Sequence, residues 1–389
     1  MAEGAGNAAA ARKLMPVSAA SAAAQTQMRQ PLIARRYTLE IRQYMAWHWQ
    51  ALTIAAALLV GGAISAAILV AAGVPADELV NEFLVQTFLD GQNFRAVLLQ
   101  AAPMIMVGLA ASVAFQARFW NLGLEGQMIW GAIGATSVSM LQIGPEPLRL
   151  PLMFVVAACC GLLWVLGPAW LKLKLGVNEI ISTLMLNYIA ANFLLHMLYG
   201  AWKDPKDSFP YSPQFRAFER LPEIAEGVGS SIAVAIVFAG LAWWLVTMSR
   251  AGFYLRFIDA NQRMAQAAGV PVKQVVYSAV LVSGALAGVA GFAIASGQEG
   301  RLTQGFYQGY GFSGILIAFL ARNNPLAASV VALLVAALFV TGRSLQVFYQ
   351  VPFSMVQLIQ AVIVICVACS DFFIRHRLRR IGRLGAVGA

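Results

Sequence analysis

Long apolar runs, broken by short polar stretches, fill the chain from about residue 50 to about residue 373. A membrane-crossing helix needs about 20 such residues to span about 30 Å of hydrocarbon. By that measure there are about ten candidate spans, at 50–72, 94–115, 124–143, 151–171, 180–199, 230–248, 275–296, 309–321, 325–342 and 354–373. The eighth is short and reads as a re-entrant or broken helix. The pattern therefore predicts an all-α, polytopic membrane protein with about ten transmembrane helices. Residues 1–45 read as an N-terminal tail, 46–375 as the transmembrane domain, and 376–389 as a basic C-terminal tail.

Composition supports the pattern. The chain is 60% hydrophobic and 11% charged, where a soluble domain carries about 25% charged residues. A chain so apolar cannot cover a water-facing surface. Residues 1–34 are rich in Ala, Ser and Gln and lack a continuous apolar core, so no cleavable signal peptide is expected. The first apolar run would act as an uncleaved signal-anchor.

The net charge of +10 at pH 7 could point to nucleic acid, but its placement points to topology. With the N-terminus inside, most Lys and Arg fall in inside segments, among them Arg118, Lys172, Arg250, Arg256, Arg263, Lys273 and Arg322. The acids Asp77, Glu78, Glu82, Asp90, Asp204, Asp207, Glu219, Glu223 and Glu226 gather in two outside loops. The positive-inside rule then makes both termini cytoplasmic. The closing "RHRLRR" is expected to anchor that topology beside anionic membrane lipid; no nucleic-acid partner is expected.

No catalytic constellation is present. His48, His196 and His376 are scattered. Cys366 and Cys369 form a single C-x-x-C without a second pair, and Cys159 and Cys160 lie in another apolar run. No metal site and no cofactor are expected. No Gly-Lys dipeptide occurs, which excludes a P-loop and hence a P-loop ATPase. The small residues Gly284, Ala287, Gly288 and Gly291, and Gly131 with Ala135, repeat at four-residue spacing. Such spacing lets helix backbones approach inside a bundle.

What remains is polarity at membrane depth, which marks candidate sites. In "RFWNLGLEGQ", Asn121 and Glu125 are four apart and on a helix would share a face, with Gln127 on another side. Arg118 lies close enough to pair with Glu125. "SGQEGRLTQGFYQGYGFSG" brings Gln298, Glu299, Tyr307 and Tyr310 into a glycine-rich stretch suited to broken backbone in a protein-lined cavity. "GVNEIISTLMLN" places Glu179 at a helix N-terminus, where the dipole favours it, and ends on Asn187. Asn121, Glu125, Gln127, Asn187, Gln298, Glu299 and Tyr310 are the candidate lining of a solute path. Amides and aromatic rings suit a neutral, hydroxylated or ring-shaped solute.

Two connecting segments stand out. The outside stretch 200–228 is long, Pro-rich and aromatic, and reads either as an amphipathic helix on the bilayer or as a docking surface. The inside stretch 249–274 carries a short helix from Asn261 to Ala268, closed by Gly269 and Pro271.

Taken in order, these motifs resemble the membrane permeases of bacterial sugar and nucleoside ABC importers. "FWNLGLEGQMIWGAIGA", "LGVNEIISTLMLNYIA", "LRFIDANQRMAQAAGV" and "GYGFSGILIAFLARNNP" each match a family segment, and the similarity covers about residues 50–375. Asp259, Gln262 and Ser313 depart from the family's usual Gly, Pro and acid. The resemblance implies one subunit of a larger importer in the bacterial inner membrane. Its partners would be a second permease, cytoplasmic ATP-binding subunits that hydrolyse the ATP, and an external solute-binding protein. The solutes would be nucleosides or related small molecules. It also implies that 249–274 couples to the ATPase through Arg256, Asn261, Arg263, Ala268 and Gly269, with Glu179 beside them. The alternative reading is a stand-alone, ion-coupled secondary transporter.

Overall fold

The computed structural model describes residues 37–42, 45–225, 227–307 and 309–380. It divides into two compact units. The smaller contains the antiparallel pair β1 (Tyr37–Ile41) and β4 (His376–Arg380), with Tyr37 opposite Arg380 and Ile41 opposite His376. These strands fall in the two segments read as tails. The rest of the C-terminal tail, from 381, and residues 1–36 lie outside the described residues.

The larger unit, Leu58–Ala368, is a helical bundle. In chain order the helices of the chain, the first beginning and the last ending in the smaller unit, are α1 (Trp47–Ala71), the short α2 (Ala76–Val80), α3 (Gly91–Gln116), α4 (Leu124–Met140), α5 (Glu146–Trp170) and α6 (Glu179–Tyr199). After a long connection with a two-strand hairpin, β2 (Glu223–Ala225) and β3 (Val228–Gly229), follow α7 (Ser231–Met248), α8 (Arg250–Ala260), α9 (Gln262–Ala267) and α10 (Val272–Ile294). The last three are α11 (Tyr310–Leu320), α12 (Pro325–Tyr349) and α13 (Phe353–Arg375).

Eight of these helices are long and apolar enough to cross a membrane. The other two expected spans are shorter. At 1.5 Å per residue, α4 covers about 25 Å and α11 only about 16 Å of the roughly 30 Å hydrocarbon core. Both begin after broken backbone: α4 after the non-helical stretch 118–123, which opens on Arg118 at a positive φ of 54°, and α11 after a loop whose Gly300 and Gly309 take positive φ of 65° and 75°.

The most buried helices are α3 and α10, with 83% and 78% of their apolar windows covered by the rest of the chain. They pack on each other; α10 also packs on α4 and α5, and α3 on α7, α11 and α12. Contact is close because glycine faces glycine. A Cβ on Gly288 would meet the Ala157 carbonyl oxygen and lie 3.1 Å from the Gly161 Cα, and one on Gly131 would meet Gly288 backbone. The small-residue spacing in the sequence thus does what it predicts. In contrast, only 17% of the α6 window and 22% of the α5 window are covered within the chain.

Candidate functional site

The polar signature of the third span is a set of backbone substitutes. Between Gln116 and Leu124 the chain leaves the helix, with Arg118 at a positive φ of 54°, and the helical hydrogen bonds that hydrocarbon demands are interrupted. Side chains replace them. Asn121, fully buried, accepts the Gly123 N–H at 3.2 Å and donates to Ser283 of α10 at 3.0 Å. Its amide also exchanges two hydrogen bonds with Gln127, at 2.9 and 3.0 Å. Asn187 of α6 accepts the Gly126 N–H, one of the free donors at the start of α4, at 2.8 Å and donates to the Leu122 carbonyl at 2.8 Å. Asn121, Gln127 and Asn187 are therefore brought together at the break. Ser283 lies about 16 Å along α10 from Val272, so this cluster sits deep in the bundle.

This arrangement corrects two expectations. Asn121 precedes the helix, so it does not share a helical face with Glu125; it bonds Gln127 instead. Nor does Arg118 pair with Glu125. Its guanidinium donates to the Asp259 carbonyl at 2.5 and 3.1 Å, capping the last turn of α8.

Glu125 lies in the first turn of α4 and faces the first turn of α11. The Phe312 N–H donates to its carboxylate, and its Oε1 is buried without a hydrogen-bond partner. Two helix N-termini, each a partial positive charge, thus converge on one carboxylate. Gly311 makes this possible, because a Cβ there would run into Glu125 Cγ and lie 2.7 Å from its backbone nitrogen.

Farther along α3, Gln298 donates to the Leu99 carbonyl at 2.7 Å and accepts from the Tyr310 hydroxyl at 3.4 Å. Tyr310 is buried, bonds Gln100 as well, and stacks on Phe339. Glu299, by contrast, is exposed. The path candidates therefore fall into a break cluster, the Glu125 position, and a Gln298–Tyr310 pair.

At one end of the bundle the coupling candidates meet a network that sequence did not reveal. Lys172 ion-pairs with Glu179 and donates to the Arg118 carbonyl at 2.8 Å. Glu179 also accepts from the Trp120 N–H at 3.4 Å. Since Arg118 holds the end of α8, the α5–α6 turn, the break and α8 form one connected set. The 249–274 segment is two helices, not one. Asn261 separates them and caps α9 by accepting the Arg263 and Met264 N–H groups at 3.0 and 3.1 Å. Ala268 ends α9, and Gly269 takes a φ of 80° beyond it, as the helix-stop signal predicts. Arg256 and Arg263 are exposed, as are the apolar Phe253 and Met264.

The opposite end carries the 200–228 connection. It is neither an amphipathic helix nor loose. A buried Arg149–Glu219 ion pair at 3.0 Å ties it to α5, and Glu219 also accepts from Ser139 at 2.8 Å and from the Arg216 N–H at 2.9 Å. Arg301 donates to Asp207 at 2.8 Å and lies 4.2 Å from the Tyr211 ring centre. The Phe209 N–H and this arginine hold the Asp207 carboxyl below its ordinary range. Acidity at these positions was legible, but its partners were not.

Among the described residues there is no cluster of His, Cys, Asp or Glu that could hold a metal ion. Residues 93–368 match the family described as "Branched-chain amino acid transport system / permease component". The chain belongs to this permease family. It is 35% identical to the glucose ABC transporter permease protein TsgB13 of Haloferax volcanii, over 86% of this chain and 90% of that protein. It is 30% identical to the guanosine ABC transporter permease protein NupP of Bacillus subtilis, over 85% of this chain and 96% of that protein. The nucleoside ABC transporter permease protein NupB of Lactococcus lactis is 26% identical over 68% of this chain and 76% of its own length. The chain is thus a multi-pass ABC-type permease subunit rather than a stand-alone secondary transporter. Its resemblance to bacterial sugar and nucleoside permeases is upheld.

Proposed function

We propose that this permease subunit imports nucleosides or related small, hydroxylated ring solutes, driven by ATP hydrolysis in a separate subunit. The curated relatives carry glucose, guanosine and nucleoside in their names. A polar but weakly charged interior suits that class. The assembly consists of this chain, a second permease, a cytoplasmic ATP-binding subunit and an external solute-binding protein. It lies in the bacterial inner membrane with both termini cytoplasmic, the orientation favoured by the Lys and Arg distribution.

One observation carries the mechanism. The exposed α8–α9 pair is connected, through Arg118, Lys172 and Glu179, to the broken backbone around Asn121. Closure of the ATPase pushes on α9 through Arg263, Ala268 and Gly269 and on α8 through Arg256. Arg118 passes that displacement to the non-helical stretch, whose side-chain hydrogen bonds have replaced rigid helix. Glu125, at the meeting of α4 and α11, then moves with the path, together with Gln298 and Tyr310.

Reconstitution with the partner subunits tests this. ATP-dependent uptake that vanishes without the ATPase is expected, and uptake that persists without ATP and ATPase would refute the assignment. Arg263→Glu is expected to leave assembly normal while ATP hydrolysis continues without transport. Glu125→Gln is expected to keep the fold and slow uptake.

A further inference from the structure

Helix α6 is the least apolar of the eight spans, with mean hydropathy 1.4, yet only 17% of its window is covered within the chain. Its exposed positions are Ile181, Met185, Tyr188, Ile189, Asn192, His196 and Tyr199, and their spacing of three or four puts them on one stripe. The outward stripes of α5 and α7 differ. Val155, Cys159 and Leu163 on α5, and Ile236, Leu241 and Trp244 on α7, offer lipid nothing to reject.

Two members of the α6 stripe have ordinary explanations. His196 lies in the last turn, where the helix dipole favours a basic group. Tyr199 ends the helix, where aromatic rings gather at the membrane interface. Tyr188 and Asn192 do not fit that account. Both lie near the middle of a 21-residue helix, and Tyr188 is 67% exposed. Asn192 donates to the Tyr188 carbonyl at 2.8 Å. That satisfies part of the amide, but hydrocarbon has no donor for its oxygen and no partner for the phenol. Polar groups at this depth face a water-filled cavity or protein, not lipid.

We propose that the Tyr188–Asn192 face of α6 lines the solute path of the assembled transporter, with the phenol ring stacking on a neutral ring solute and the amide hydrogen-bonding its hydroxyls. This rests on the permease reading above and extends it to residues outside the break cluster. Tyr188 and Asn192 lie about 6 Å apart along the helix, so one ring-sized solute can reach both.

The test is cysteine accessibility in the full reconstituted complex. Cys159, Cys160, Cys366 and Cys369 are first replaced by Ala. Tyr188→Cys, Asn192→Cys and, as a lipid-face control, Val237→Cys are then treated with a membrane-impermeant thiol reagent. Positions 188 and 192 are expected to label, to be protected by guanosine or glucose, and position 237 to stay unlabelled. Asn192→Leu is expected to lower uptake about tenfold at unchanged complex yield, the loss of one solute hydrogen bond. Absence of labelling at 188 and 192 would overturn the proposal, and so would labelling without solute protection. ATP-dependent uptake by the cysteine-free complex distinguishes these failures from failure of the permease reading itself.

Discussion

Asn121 and Gln127 clasp one another through two hydrogen bonds across the start of α4, although only Gln127 belongs to the helix. Asn121 also serves Gly123 and Ser283, so it is the hub of the break. Each buried polar group left without a partner costs about 1–3 kcal/mol. Asn121→Ala strands several at once, whereas Gln127→Ala leaves Asn121 with its other partners. Thermal unfolding of the purified protein in detergent should therefore fall much further for Asn121→Ala. Equal losses would show that Gln127, not Asn121, organises the break.

Arg149 and Glu219 are both buried, so removing either leaves an unpaired charge. Breaking such a pair costs about 3–5 kcal/mol, while replacing both partners with apolar groups costs far less. Glu219→Ala is expected to release the 200–228 connection, seen as new proteolytic cleavage there. The double change Arg149→Leu with Glu219→Leu should be cut more slowly than either single variant.

The depressed Asp207 carboxyl sets a pH window for the same connection. Its folded pKa lies below its unfolded value, so its stabilising contribution is complete above the unfolded pKa, about 4. That contribution is lost as pH falls through the lower, folded value. Hydrogen exchange around Asp204–Tyr211 should be flat from neutral pH down to mildly acidic conditions and rise, relative to the intrinsic rate, only below that range. Asp207→Asn should show the raised exchange at every pH.

Gly288 tolerates no side chain, because what a Cβ would meet is backbone of α5 rather than a movable side chain. Gly288→Ala is expected to destabilise the bundle by about 1–3 kcal/mol through overpacking. Gly240 has open space around it, so Gly240→Ala should be tolerated; the pair can be compared by melting temperature.

Arg118→Ala removes the guanidinium from the last carbonyls of α8. Exchange in 250–267 is expected to rise while α10, packed in the core, stays protected. Unchanged exchange in α8 would mean that its packing on α7, α10 and α3 is enough to hold it.

Local sequence carried most of the architecture. Apolar runs of membrane length gave the long helices directly, because span length is set by bilayer thickness and needs no tertiary information. The four-residue spacing of Gly284 with Gly288, and of Ala287 with Gly291, announced close helix contact, since only small residues permit it. Asn261 before Arg263, and Gly269 after Ala268, announced the limits of α9, because a cap is made within one turn.

Long-range pairing decided the rest. The apolar run placed the third span at 124–143, and its helix does begin at Leu124, but the helical spacing of Asn121 and Glu125 pointed the wrong way. The start is fixed by Asn187, Ser283 and Gln127, and two of these lie on other helices. Glu219 found Arg149, because charges buried in low dielectric settle on whichever partner the packing brings within hydrogen-bonding distance, and the exposed Arg118 found the Asp259 carbonyl rather than Glu125 because the end of α8 stands beside it. The sequence by itself determined that polar groups sit inside this bundle; only the tertiary structure decided which of them replace broken backbone and which face outward, because a hydrogen bond depends on where a partner stands in space rather than where it stands in the chain.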